Sequence, residues 1–96
     1  MLFRSAYFFY FVEAMIKGAI DLGLSERDAT TLTIQTINGA ATMLNESGKS
    51  PKTLRENVTS PNGTTAAAIA AFNESGTDEI IAKAMKAARD RSRELA

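Results

Sequence analysis

Arg55-Glu56-Asn57-Val58-Thr59-Ser60-Pro61-Asn62-Gly63-Thr64-Thr65-Ala66-Ala67-Ala68-Ile69 is the stretch on which the reading of this chain turns, because one run holds a tight turn, an anion-receptive loop and a helix start. Proline presets φ at about −65°, and asparagine and glycine tolerate the positive φ that a tight reversal demands, so Pro61-Asn62-Gly63 predicts a turn. The alanine-rich run behind it predicts a helix over residues 65–74, entered through two threonines. The first N–H groups of a helix have no intrahelical partner and lie at the positive end of its dipole, so they receive a carboxylate or phosphate readily. The backbone N–H groups of Gly63 and Thr64, with the hydroxyls of Ser60 and Thr65, are the candidate donors for a small carboxylate. A plainer reading stands beside this one, in which Thr64 serves only to cap the helix.

The 96 residues predict a single domain, large enough for a modest core and small enough to need a partner over its apolar surface. Hydrophobic residues make up 45%, which fits a packed globule and excludes disorder. Eleven basic and eleven acidic side chains cancel, so neither nucleic acid nor an anionic membrane surface is expected as partner. With no cysteine and no histidine, the chain cannot supply a Cys/His metal site, a Ser-His-Asp triad or a disulfide. That usage is consistent with a reducing, cytoplasmic home. The apolar run from Ala6 to Val12 is interrupted by Glu13 and is far shorter than the roughly 20 residues of a membrane span. It lacks a small-residue cleavage site and reads as a core helix rather than a targeting signal. Four Asn-x-Ser/Thr triplets begin at Asn45, Asn57, Asn62 and Asn73 and are taken as chance composition.

No alternating strand pattern occurs, and helical spacing recurs throughout, so the class is all-α with about five helices. The first spans residues 5–23, with Phe8, Phe11, Val12, Met15, Ile16, Ala19 and Ile20 at helical spacing and Gly23 as its stop. Glu13, Lys17 and Asp21 recur every fourth residue and are expected to pair along one edge, while Tyr7, Phe9 and Tyr10 spread apolar surface over most of the rest. Such a helix must be covered on more than one side, by a second copy or by central burial within one subunit. Ser25, with Glu26 and Asp28 in the first turn, predicts the start of a second helix that runs to Leu44 or Asn45. Gly39 in its interior suggests a close crossing by another helix, since glycine there costs roughly 1 kcal/mol relative to alanine. Gly48 ends it, and Pro51 opens a short third helix to about Asn57. After the fourth helix, Gly76 is the exit and Thr77 is expected to cap a fifth, with Asp78 and Glu79 near its start and Arg89, Arg91 and Arg93 near its end. Ile80, Ile81, Ala84, Met85, Ala88 and Leu95 are its expected buried side.

Gly48-Lys49-Ser50 imitates the end of a phosphate-binding P-loop, but Met43 stands where that motif needs glycine and a helix where it needs a strand. No G-x-G-x-x-G segment occurs, so no dinucleotide site of the Rossmann type is expected.

The residues resemble the C-terminal domain of pyrroline-5-carboxylate reductase. The resemblance runs from Ala6-Tyr7-Phe8-Phe9-Tyr10-Phe11-Val12-Glu13-Ala14, through Asp21-Leu22-Gly23-Leu24, Gln35-Thr36 and Gly39-Ala40-Ala41, to residues 55–65, and ends on Ala87-Ala88 and Arg91-Ser92-Arg93-Glu94-Leu95. Gly63-Thr64-Thr65 complies with the family signature, and Asn62 stands where glycine is commonest. The resemblance implies an interlocked helical dimerisation domain, of the kind found in 6-phosphogluconate-dehydrogenase-like reductases. It implies a homodimer or a higher oligomer, and a cytoplasmic role in proline biosynthesis: reduction of 1-pyrroline-5-carboxylate to L-proline. Ser60, Gly63 and Thr64 would then hold the substrate carboxylate, and Thr65 would present its hydroxyl to the ring nitrogen as the catalytic residue. Hydride would come from NADPH or NADH on a preceding Rossmann domain. This chain carries Met1-Leu2-Phe3-Arg4-Ser5 where the family has a Ser-Gly-Ser-Gly-Pro loop, and the family's Rossmann domain is not among its residues, so residues 1–96 are expected to bind no cofactor or metal and to be inactive alone. The alternative is a non-catalytic homodimerisation module derived from the same family.

Overall fold

The computed structural model describes residues 4–96, and residues 1–3, where the apolar N-terminus begins, lie outside it. Among the described residues there are five helices and no strand, in keeping with the all-α expectation. The chain divides into two compact units, whose described residues are Arg4–Pro51 and Lys52–Ala96.

In the first unit, α1 (Ser5–Asp21) packs against α2 (Glu26–Glu46). α1 stops where the sequence places a stop. Gly23 adopts φ +112, its N–H donates to the Ile20 carbonyl (2.9 Å), and the Leu24 N–H donates to that of Ala19 (3.1 Å). These paired bonds satisfy carbonyls that the last turn would otherwise leave open. Ser25 then caps α2, its Oγ accepting from the Asp28 N–H at 3.1 Å. The small core of this unit lies on one stripe of α2: Ala29 is 0% exposed and Thr33 8%, with Ile37 half-buried one turn on. A methyl side chain at Ala29 lets the two helices approach closely, and Val12, Ile16 and Ala19 are the half-buried aliphatic residues of α1.

Among the described residues, most of the apolar surface of α1 finds no cover. Phe8 is 56% exposed and Phe11 47%; the two rings meet edge to face at 6.5 Å, and Tyr10 lies near-parallel to Phe11 at 6.3 Å. Central burial of α1 within one subunit is therefore not what the fold provides. Two further expectations fail locally. Glu13, Lys17 and Asp21 form no ion pair with one another among the described residues; side-chain pairing of that kind appears on the last helix, as Lys86–Asp90 and Arg91–Glu94. Nothing among the described residues lies within 4 Å of a Cβ built on Gly39, so α1, the other helix of this unit, does not cross closely there.

In the second unit, α4 (Thr64–Glu74) packs against α5 (Thr77–Leu95), and α3 (Pro51–Asn57) leads into the loop before α4. Ala66 and Ile69 are the half-buried residues of α4, and Met85, Ala88, Arg89 and Asp90 are among those of α5. Ile80 (59% exposed), Ile81, Ala84 and Leu95 (70%) are uncovered, contrary to the stripe expected from spacing alone. Thr77 does not cap α5. Gly76, at φ +70, holds the cap position, and the Thr77 hydroxyl reaches back to donate to the Phe72 carbonyl at 2.7 Å.

Candidate functional site

The candidate site lies wholly in the second unit, between the end of α3 and the first turn of α4. α3 closes on the Arg55 carbonyl, which accepts from the Val58 N–H (3.3 Å) and from the Thr59 hydroxyl (2.6 Å). Thr59 is half-buried, and this double anchorage fixes the direction in which the chain enters the turn.

Ser60-Pro61-Asn62-Gly63 then forms a hydrogen-bonded turn, the Gly63 N–H donating to the Ser60 carbonyl at 3.1 Å. With proline at the second position and Asn62 at φ +61, this is a type II turn. The two tolerant residues divide the work. Asn62 carries the positive φ, whereas Gly63 sits at φ −87, ψ −176, a conformation open to any residue. Glycine at 63 eases a tight spot: a Cβ there would lie 3.2 Å from the Ser60 carbonyl oxygen, so the turn would have to give by a few tenths of an ångström, and 3.4 Å from Ser60 Cβ, an ordinary contact.

α4 begins at Thr64, one residue before the expected start, and Gly63 occupies its cap position without any side-chain cap bond. Thr64 is thus the first helical residue and not the cap. The Gly63 carbonyl accepts the first backbone bond, from Ala67 N–H at 3.1 Å. The N–H groups of Thr64, Thr65 and Ala66 have no partner among the described residues and point out of the helix start. Gly63, by contrast, spends its N–H on the turn. The sequence-predicted residues therefore separate into two roles. Ser60 and Gly63 are joined by the turn bond that fixes the loop, while Thr64 and Thr65 contribute both free N–H groups and exposed hydroxyls without partners among the described residues. Ala66 was missed. Its signal was available in the rule that a helix leaves its first N–H groups unpaired, once the start is moved to Thr64.

The electrostatics are those of backbone alone. Residues 58–73 contain no charged side chain, and no acid lies in the first turn of α4. The positive potential of the helix start is neither reinforced nor cancelled by a neighbour in sequence. Among the described residues no group of three or more acidic, histidine or cysteine side chains is placed to hold a metal ion, and no helix is long and apolar enough to cross a membrane.

Residues 4–95 match the family described as pyrroline-5-carboxylate reductase dimerisation. The chain is 48% identical over 91 residues to pyrroline-5-carboxylate reductase of Pseudomonas aeruginosa, an alignment covering 95% of this chain and 33% of that protein. It is 46% identical over 90 residues to pyrroline-5-carboxylate reductase 1 of Bacillus spizizenii, covering 94% of this chain and 30% of the relative. In three dimensions it is similar to a pyrroline-5-carboxylate reductase of Coxiella burnetii, with a TM-score of 0.91 at 43% identity over 95% of this chain and 34% of the other. It is also similar to the Plasmodium falciparum pyrroline carboxylate reductase with NADP bound (TM-score 0.90, 29% identity, 94% and 36% coverage). The chain thus spans about a third of the length of the relatives it matches. With its helical order, its Ser60–Gly63 turn and these similarities in agreement, the chain belongs to the pyrroline-5-carboxylate reductase dimerisation family.

Proposed function

We propose that residues 1–96 act as one dimerisation and substrate-binding domain of a pyrroline-5-carboxylate reductase, which reduces 1-pyrroline-5-carboxylate to L-proline. The observation that carries this reading is the cluster of unpartnered N–H groups on Thr64, Thr65 and Ala66 behind a turn locked by the Ser60–Gly63 bond. A substrate carboxylate is an acceptor with several lone pairs, and donors fixed in place before binding need little reordering to meet it. The Ser60 hydroxyl is a further donor from the far side of the turn, and Gly63 keeps the approach clear by having no side chain. Thr65 directs its hydroxyl toward the ring nitrogen, which takes the electron pair and a proton as hydride arrives at the imine carbon.

When bound, NADPH or NADH supplies that hydride. The chain matches about a third of the length of its relatives, one of which is a structure with NADP bound, which supports assigning the nucleotide to a domain other than residues 1–96; these residues alone are expected to be inactive. The exposed Phe8, Phe11 and Met15 of α1 support a second copy of the chain as its cover, giving a homodimer or a higher assembly, in a cytoplasmic enzyme.

The test is a titration of the isotope-labelled protein with L-proline, followed at the backbone amides, with acetate as the control for nonspecific anion binding. Saturable shifts confined to residues 60–66 are expected with proline and not with acetate. In the complete enzyme Thr65→Ala should cripple turnover and leave the dimer intact. Unchanged turnover would remove Thr65 from its role and favour the non-catalytic dimerisation module.

A further inference from the structure

We infer that Asn62 is a site of spontaneous backbone modification, deamidation through the Gly63 nitrogen, from which the fold shields the chemically identical pair Asn38-Gly39. The chain holds two Asn-Gly dipeptides, and in both the missing Cβ of glycine leaves the following nitrogen open to approach by the asparagine side chain. The reaction needs no cofactor. The Gly63 nitrogen gives its proton to solvent and attacks Asn62 Cγ. The Cγ–Nδ2 bond then breaks, and ammonia leaves with a proton from solvent. The product is a five-membered succinimide. Water opens this ring at either carbonyl, yielding aspartate or an isoaspartate whose main chain runs through Cβ and Cγ. The net change is one water consumed and one ammonia released, with no change in oxidation state.

What separates the two pairs is the freedom of the glycine nitrogen. At Gly63 it is held by a single turn bond to the Ser60 carbonyl, 3.1 Å long. Asn62 is exposed and sits at φ +61, in the left-handed region that asparagine tolerates with strain, so opening the turn releases strain as it frees the nitrogen. Gly39 lies in the interior of α2, more than a turn from either end, where freeing its nitrogen means unwinding a cooperative helix. Crowding plays no part in that protection, because the space around Gly39 is open.

Modification would alter the loop in two ways. Aspartate places a negative charge in residues 58–73, which otherwise have none, beside the free N–H groups of α4. Isoaspartate lengthens the main chain between Ser60 and Gly63, so the turn bond no longer closes. Both products weaken carboxylate binding, a consequence that rests on the function proposed above.

The experiment is incubation of the protein in warm, mildly alkaline buffer, natively and in urea, with conversion at Asn62 and Asn38 quantified by peptide mass mapping and isoaspartate detection. Natively, Asn62 should convert on the order of tenfold or more faster than Asn38, because only the latter needs helix opening; in urea the two rates should converge. The Asn62→Gly variant should lose the conversion assigned to residue 62 and keep any at Asn57 and Asn73 unchanged. Equal native rates, faster conversion at Asn38, or an inert Asn62 beside a reactive urea sample would overturn the inference. L-proline titration of the aged protein separates the two proposals: conversion at Asn62 with undiminished binding would refute the consequence for the site and leave the modification standing.

Discussion

The Thr77 hydroxyl donates to the Phe72 carbonyl at 2.7 Å, so the first residue of α5 closes a backbone acceptor left open by the last turn of α4. With Gly76 at φ +70 between them, the two helices are joined by a connection that has little freedom to swing. Thr77→Val keeps the shape and removes the donor. It should lower stability by about 1 kcal/mol, read as a shift in urea midpoint at fixed protein concentration, with Thr77→Ser recovering most of the loss.

At the turn, Asn62→Ala and Asn62→Gly should move in opposite directions. Alanine at φ +61 is disfavoured by roughly 1 kcal/mol or more, whereas glycine takes that conformation freely. Thermal unfolding of both variants measures the difference, and equal melting temperatures would show that the turn does not hold residue 62 in the left-handed region in solution.

Ser25→Ala removes the one side-chain cap of α2 and should destabilise its first turn by about 1 kcal/mol. Hydrogen exchange provides a local readout: the Asp28 and Ala29 amides should lose protection while those near Met43 do not.

Asp90 accepts hydrogen bonds from Lys86 (2.9 Å) and from Arg89 (3.2 Å), in that order of effect, and both hold its carboxyl below the ordinary aspartate value. A carboxylate whose folded pKa is depressed stabilises the fold above its unfolded pKa and loses that contribution as pH falls through the folded one. In a carboxyl-carbon NMR titration, Asp90 should have its midpoint below that of an unpaired aspartate, and Lys86→Ala should raise it. With the Lys86 and Asp90 side chains 67% and 43% exposed, water reaches the pair and it is expected to respond to added salt.

Phe11→Asp is the sharpest test of the second copy on α1. Burying a phenylalanine contributes about 2–3 kcal/mol, and a symmetric interface carries the change twice. Sedimentation should show the variant as a monomer at concentrations where the unaltered chain is paired; a dimer of unchanged affinity would place the interface elsewhere.

The sequence by itself determined the helices and nearly all their ends, because those signals are local: Gly23 and Gly48 at positive φ, the Ser25 cap and Pro51 at a first helical position each act on the few residues around them. It also marked Ser60, Gly63, Thr64 and Thr65 as one loop, through turn chemistry that depends on neighbouring residues alone. Only the tertiary structure decided which donors are free. The Gly63 N–H is consumed by Ser60, Thr64 enters the helix, and Ala66 joins the open set, since each backbone N–H serves whichever acceptor the fold brings nearest. It decided too that Thr77 serves Phe72 and not its own helix. Which apolar side chains are covered was likewise out of reach: helical spacing puts Ile80, Ile81 and Leu95 on α5 and Phe8 and Phe11 on α1, but cover is a property of what packs against a face, and among the described residues little does.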